Sequence, residues 1–180
     1  MENNPLMRPG TLPYGAPDFS KIKGEDYLPA LKEGIRQQRE EIVRIVADKA
    51  KPTFANTILA YEKSGLLLDR VSSIFFALVS ADKTPEIEQA EKEAVPLLTD
   101  FENEISFNQR FFQRIKYVYD HERNTLKGED RKLLEEVYKK FVRSGALLPE
   151  DKMARMQQIN KRIAALQQEF GNMLPKATNA

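Results

Sequence analysis

The chain has 180 residues, 41% of them hydrophobic and 31% charged, which suits one globular domain or a little more and excludes a disordered polyelectrolyte. With 28 basic side chains against 27 acidic ones it carries no cationic excess to displace counterions from phosphate, so nucleic acid is not an expected partner. It has no cysteine, which rules out disulfides and any thiolate metal site. The opening Met1-Glu2-Asn3-Asn4-Pro5 has neither the basic nor the apolar stretch of a secretory leader, and a cytoplasmic location is expected. No apolar run approaches the ~18 residues of a membrane span, so no membrane is expected either.

Pro5, Pro9, Pro13 and Pro17, with Gly10 and Gly15, predict an extended arm over residues 1–23. Phe19 and Ile22 are expected to pin it to a helical body, residues 24–180. The helical period then takes over. Leu28, Leu31, Ile35, Ile42 and Ile45 mark a first long helix, with Pro29 expected in its first turn. Thr53 is placed to cap a short second helix carrying Phe54, Ile58 and Tyr61, and Gly65 to end it in the left-handed conformation. Leu67, Leu68, Val71, Ile74, Phe75 and Leu78 form a third helix with a wide apolar face. Thr84-Pro85-Glu86 reads as cap, first-turn proline and early acid of a fourth, through Ile87, Ala90, Ala94, Leu97, Phe101 and Ile105, with a kink expected at Pro96.

Asn108 caps a fifth helix containing Phe111, Phe112, Ile115, Val118 and Tyr119. Leu133, Leu134, Val137, Tyr138, Phe141 and Val142 mark a sixth, stopped near Gly145. Met153, Met156, Ile159, Ile163, Leu166, Phe170 and Met173 run along a last helix from about Pro149 or Glu150. No segment alternates with period two and no repeat near 34 residues is present. The fold expected is all-α: an antiparallel array of six to eight helices behind the Pro-rich arm.

Motifs that carry chemistry are sparse. His121-Glu122 opens like HExxH, but the fifth position is Thr125 and the chain has one histidine, so the two-histidine grip on zinc fails. His121 reads as a surface residue near a helix C-terminus. Ser72-Ser73 lies on an apolar helix without a nucleophile elbow, and no glycines stand in a phosphate-cradling spacing. Glu86, Glu88, Glu91 and Glu93, then Glu135 and Glu136, read as solvated helix faces with partners such as Lys92 and Lys139. Arg110-Phe111-Phe112-Gln113-Arg114-Ile115-Lys116-Tyr117 interleaves cations with rings, as single-strand binders do. Its spacing instead divides Arg110 and Arg114 from Phe111, Ile115 and Val118, as solvent face from core. No catalytic, cofactor-binding or metal-binding residue is expected in the chain.

Several stretches together carry a resemblance: Leu12-Pro13-Tyr14-Gly15-Ala16-Pro17-Asp18-Phe19, Tyr27 to Ala30, Pro52 to Ile58, Glu62-Lys63-Ser64-Gly65, Arg70-Val71 with Phe75-Phe76, Val118-Tyr119-Asp120, and Phe141 to Ala146. In order and spacing they resemble the zinc oligopeptidases of the thimet oligopeptidase and neurolysin kind, in their bacterial peptidyl-dipeptidase branch, from about Pro5 to Leu174. The resemblance implies a largely helical enzyme of two halves around a substrate channel, releasing dipeptides from peptide C-termini. Its zinc would sit on an HExxH helix well downstream, so zinc is expected only in a further catalytic portion. Within that frame the 180 residues correspond to a non-catalytic N-terminal channel wall. Its partners would be that catalytic portion and, in the whole enzyme, peptides. The alternative is a free-standing helical module that binds a protein partner. Later helices of the resembling enzymes would pack near the last helix, so self-association of this chain is also expected.

Overall fold

The computed structural model describes residues 4–178, with side chains described for residues 4–173. The first three residues of the arm and the last residues of the helical body therefore lie outside the described residues. Among the described residues there are seven α-helices and no strand: α1 Gly24–Ala47, α2 Ala60–Glu62, α3 Leu66–Ala81, α4 Pro85–Ser106, α5 Gln109–Glu122, α6 Gly128–Arg143 and α7 Glu150–Thr178. The all-α expectation is met. A six-residue π-helical stretch, Phe54–Leu59, runs directly into α2.

The chain divides into two compact units. One takes the chain as far as Arg39 together with Gly65–Leu98; the other takes Glu40–Ser64 with the chain from Thr99 on. Two of the three divisions fall inside α1 and α4 and the third just before α3, so each unit is assembled from two separated stretches.

In the first unit the arm is anchored most deeply by Leu6, while of the two residues expected to pin it Ile22 is half-buried and Phe19 is not. Phe19 is 52% exposed, whereas Leu6 in the short 3-10 turn Pro5–Met7 is 2% exposed. Leu6 is held because Asn4 accepts from its N–H, while Asn4 Nδ2 donates to the Asp26 carbonyl of α1 at 2.7 Å. From the other side an Arg70 guanidinium nitrogen donates to the Leu6 carbonyl. Pro29 also departs from expectation. α1 starts at Gly24, so Pro29 lies inside the helix rather than in its first turn. Acids at Glu25 and Asp26 favour that earlier start against the helix dipole, and Asp26 accepts from the Lys23 N–H at 2.8 Å. The buried side chains are Tyr27, Ala30, Leu31 and Ile35 of α1, Leu67, Leu68, Val71 and Phe75 of α3, and Ile87, Ala90 and Ala94 of α4. The Tyr27 and Phe75 rings meet with centroids 5.2 Å apart. Gly34 brings α1 onto α3: a Cβ there would stand 2.8 Å from Leu68 Cα.

In the second unit α5 packs on α6, and both pack on the π-helical stretch. Phe111, Phe112, Ile115 and Val118 of α5 and Leu134, Val137 and Phe141 of α6 are buried, as are Phe54, Thr57 and Ile58. Phe141 meets Phe111 edge to face at 5.5 Å, and Tyr61 meets Phe111 in the same manner at 5.1 Å. Burial beside Glu102 and Glu62 pushes the Tyr61 hydroxyl up to about 12, so the ring is neutral.

The cap signals hold. Asn108 accepts from the Phe111 N–H at 3.0 Å, Thr84 from Ile87 at 3.3 Å, and Gly65 and Gly145 sit at φ 75° and 98°. The stretch 54–81 is apolar enough for a membrane span by composition. Its backbone turns out of the helix before Gly65, leaving α3 with 16 residues, short of the roughly 20 a span needs. α4 runs through Pro96 as one helix.

Candidate functional site

The structure takes the chemistry-bearing residues of the sequence one by one into structural roles. His121 is exposed in the last turn of α5, its Nδ1 2.8 Å from the Tyr117 carbonyl and its ring stacked on Tyr117 at 3.9 Å. Lys51 completes that stack over the other ring at 5.6 Å. Glu122, the second letter of the broken motif, turns away from any metal role: its carboxylate accepts the Phe54 N–H at 2.9 Å. That N–H opens the π-helical stretch, where a negative charge is favourable. Ser72 and Ser73 lie on α3 in the first unit and His121 on α5 in the second.

Three of the clustered acids, Glu86, Glu135 and Glu136, are held ionised rather than poised. A general acid at neutral pH needs a carboxyl raised by burial or by a like charge. Glu135 is instead held below its usual range by Arg123 and then Arg131, Glu136 by Lys132 and then Lys139, and Glu86 by its own backbone N–H and Thr84. Glu91 corrects the expectation of a solvated face: it is buried and paired with Lys83. It sits on the side of α4 that also buries Ile87, Ala90 and Ala94, so the ion pair is what makes its burial tolerable.

The basic-aromatic stretch on α5 offers no open stacking platform. Phe111 and Phe112 are buried and Lys116 is paired with Asp120. Arg114 is the larger correction. Read as a solvent-facing residue, it is only 11% exposed at the side chain. Its Nη1 donates to the Asp48 carbonyl at 2.7 Å and the Ala50 carbonyl at 3.4 Å, and its Nη2 lies 3.6 Å from the Asp48 carboxylate. Asn56 joins the cluster through Asp48 Oδ2 at 3.2 Å and the Lys51 carbonyl at 3.1 Å. Thr53 and Asn56 also form a reciprocal capping box, Thr53 Oγ1 accepting from the Asn56 N–H at 3.2 Å and Asn56 Oδ1 from the Thr53 N–H at 2.8 Å. Arg114, Asp48, Asn56 and Glu122 thus tie the turn after α1 to the start of the π-helical stretch. This is a structural clamp.

Among the described residues no group of three or more histidine, cysteine, aspartate or glutamate side chains converges. Several large apolar side chains are also exposed. Tyr14 stands fully exposed at φ 62°, a left-handed conformation that costs a side-chain-bearing residue about 1 kcal/mol or more. Along α7, Ile159, Ile163, Leu166, Phe170 and Met173 are all between 39% and 62% exposed.

No protein-family model matches the sequence. Two curated proteins named dipeptidyl carboxypeptidase do. The one from Salmonella typhimurium is 38% identical over 181 residues, taking in 100% of this chain and 27% of its own length. The one from Escherichia coli is 35% identical over 178 residues, 98% of this chain and 26% of its own length. The match lies in the N-terminal part of those proteins. The chain matches the N-terminal part of members of the thimet oligopeptidase family. Oligopeptidase A of Escherichia coli is a more distant relative, 28% identical over 176 residues. The chain spans about a quarter of the length of these family members.

Proposed function

We propose that this chain forms the N-terminal helical part of a zinc peptidyl-dipeptidase, where it lines one wall of the substrate channel and contributes no catalytic group. The observation that carries the reading is the order of the similarities: 38% and 35% identity to dipeptidyl carboxypeptidases against 28% to oligopeptidase A, over nearly the same residues. Zinc would be held elsewhere in such an enzyme, since the side chains here form a clamp and ion pairs rather than a ligand set. A cytoplasmic location belongs to the same proposal.

Two measurements test it. The 180-residue chain alone is expected to release no dipeptide from a peptide C-terminus and to hold no stoichiometric zinc after dialysis. A chimera in which this chain replaces the matching quarter of the Salmonella typhimurium enzyme is expected to fold and to release C-terminal dipeptides. A chimera that folds, by circular dichroism and a cooperative thermal transition, yet cleaves nothing would sink the channel-wall reading. Zinc held one per chain by the isolated 180 residues would sink the non-catalytic one.

A further inference from the structure

The Pro-rich arm does not lie flat on the first unit. Between it and α3 stands a cavity of about 380 Å³, in the lower part of the size range of small-molecule sites. Residues 5–22 wall it on one side and Arg70, Ser73 and Ile74 on the other, all within the first unit, whereas α7 belongs to the second. The chain therefore supplies both walls itself. The arm also holds a fixed shape there. A Cβ at Gly10 would collide with the Ala16 carbonyl, so residues 10–16 close tightly on themselves. The Leu6 turn is fastened to α1 through Asn4 and to α3 through Arg70.

The lining has two characters. Pro5, Pro9, Pro17, Ile22 and Ile74 make it mainly apolar. Arg8, Lys21 and Arg70 then set three cations against a single carboxylate, that of Asp18. Asp18 is already engaged, by Lys21 at 2.8 Å and by the Ser20 hydroxyl at 2.6 Å. Arg8 and Arg70 are thus left without a carboxylate in the lining. Arg70 donates one guanidinium nitrogen to the Leu6 carbonyl at 3.1 Å, while its buried Nε–H has no acceptor among the described residues. A buried charged donor without an acceptor is costly, and an anion brought to it relieves that cost. We propose that this cavity binds a small organic carboxylate with an apolar body, its charge drawn to Arg8 and Arg70 and its body laid against the prolines and Ile74. A neutral apolar molecule would leave the Arg70 Nε–H unmatched. An inorganic anion would leave the apolar lining wet. A carboxylate on an apolar stem meets both demands, and the Ser73 hydroxyl on the α3 wall offers it a second donor. This site stands apart from the peptidase reading and does not depend on it.

The probe is hydrocinnamate, with hydrocinnamyl alcohol as its neutral counterpart of nearly the same shape. Titrated into the isotope-labelled 180-residue chain, the acid should shift the amide NMR signals of Leu6, Arg8, Thr11, Lys21 and Ser73 together and saturably. The alcohol should bind about tenfold more weakly, as the loss of a charge-assisted hydrogen bond implies. Ser73→Phe should fill the cavity and abolish the shifts, leaving the circular dichroism spectrum and thermal transition unchanged. Arg8→Gln, at an exposed position, should weaken the acid severalfold and leave the alcohol as it was. Arg70→Met should abolish binding too, but it also frees the Leu6 turn. Ser73→Phe and Arg8→Gln keep the bonds to Leu6 and so decide the matter. Equal binding of acid and alcohol would overturn the choice of a carboxylate. No saturable shift, or one that Ser73→Phe leaves in place, would overturn the site itself. So would a longer chain, extended by the segments its relatives carry, in which the same amides no longer respond to hydrocinnamate, because a group of that longer chain would then occupy the cavity.

Discussion

Arg114 shows how one side chain can convert a loop into a fixed point. Its guanidinium replaces water for two consecutive-turn carbonyls and lies beside the Asp48 carboxylate, all at the junction between α1 and the π-helical stretch. Arg114→Met keeps the stem and removes the donors, so the Asp48 carbonyl loses its charged partner. The expected loss is about 2 kcal/mol, read as a lower urea midpoint at unchanged slope. Arg114→Lys should not restore it, since a single ammonium cannot reach both carbonyls. Glu33 supplies the pH-dependent counterpart. Arg36, and then Gln37, hold its carboxyl down to about 2 from an ordinary 4.5. A folded value below the unfolded one means the stabilisation is complete above pH 4.5 and is lost as pH falls towards 2. The pair lies at the surface and salt screens it, so the sharper test is an NMR titration of the Glu33 carboxyl. Its midpoint should lie near 2 and return towards 4.5 in Arg36→Ala. At this scale the sequence misled about Arg114 and Glu91. Arg114 is covered by a segment 64 to 66 residues away that helical period cannot reveal, whereas Glu91 shares the period of Ile87 and Ala94, and its acidity alone argued for solvent.

At the scale of elements, the sharpest case is the approach of α1 to α3 at Gly34. Two effects oppose each other in Gly34→Ala. Alanine gains about 1 kcal/mol of helix propensity. Its Cβ, however, would meet Leu68 Cα at 2.8 Å, and a backbone atom cannot rotate aside. Overpacking of that kind costs about 1–3 kcal/mol, so the variant should melt several degrees lower despite the better helix former. A rise in melting temperature would show that the two helices separate at little cost. The elements themselves were largely legible. Thr84, Asn108, Gly65 and Gly145 mark boundaries through local hydrogen bonds and left-handed backbone that their own side chains, or lack of one, dictate. The π winding of Phe54–Leu59 was not legible, because its apolar spacing over six residues matches an α-helix equally well. Nor was the pinning of the arm by Leu6, which depends on Asn4 reaching Asp26, 22 residues along the chain.

The whole molecule is two units whose chain segments interleave, so neither can be isolated by cutting once. A chain ending at Leu98 retains every segment of the first unit but leaves residues 40–64 without α5 and α6. Phe54, Thr57 and Ile58, buried in the intact chain, would then face water. Such a fragment is expected to expose apolar surface, bind a hydrophobic dye strongly and aggregate on warming, whereas the 180-residue chain should do so far less. A fragment ending at Leu98 that melts cooperatively and binds no dye would show that residues 40–64 find other cover. The same interleaving has a consequence for synthesis, which proceeds in one direction while folding here must double back. Phe54 and Ile58 leave the ribosome well before α6, their packing partner, which is complete only at Arg143. About 80 residues separate α2 from that point, on the order of 4–16 s of elongation at typical rates. For that interval the nascent chain carries a greasy, half-finished turn in open solution, a window in which a chaperone would have to act and in which a slow codon would be costly.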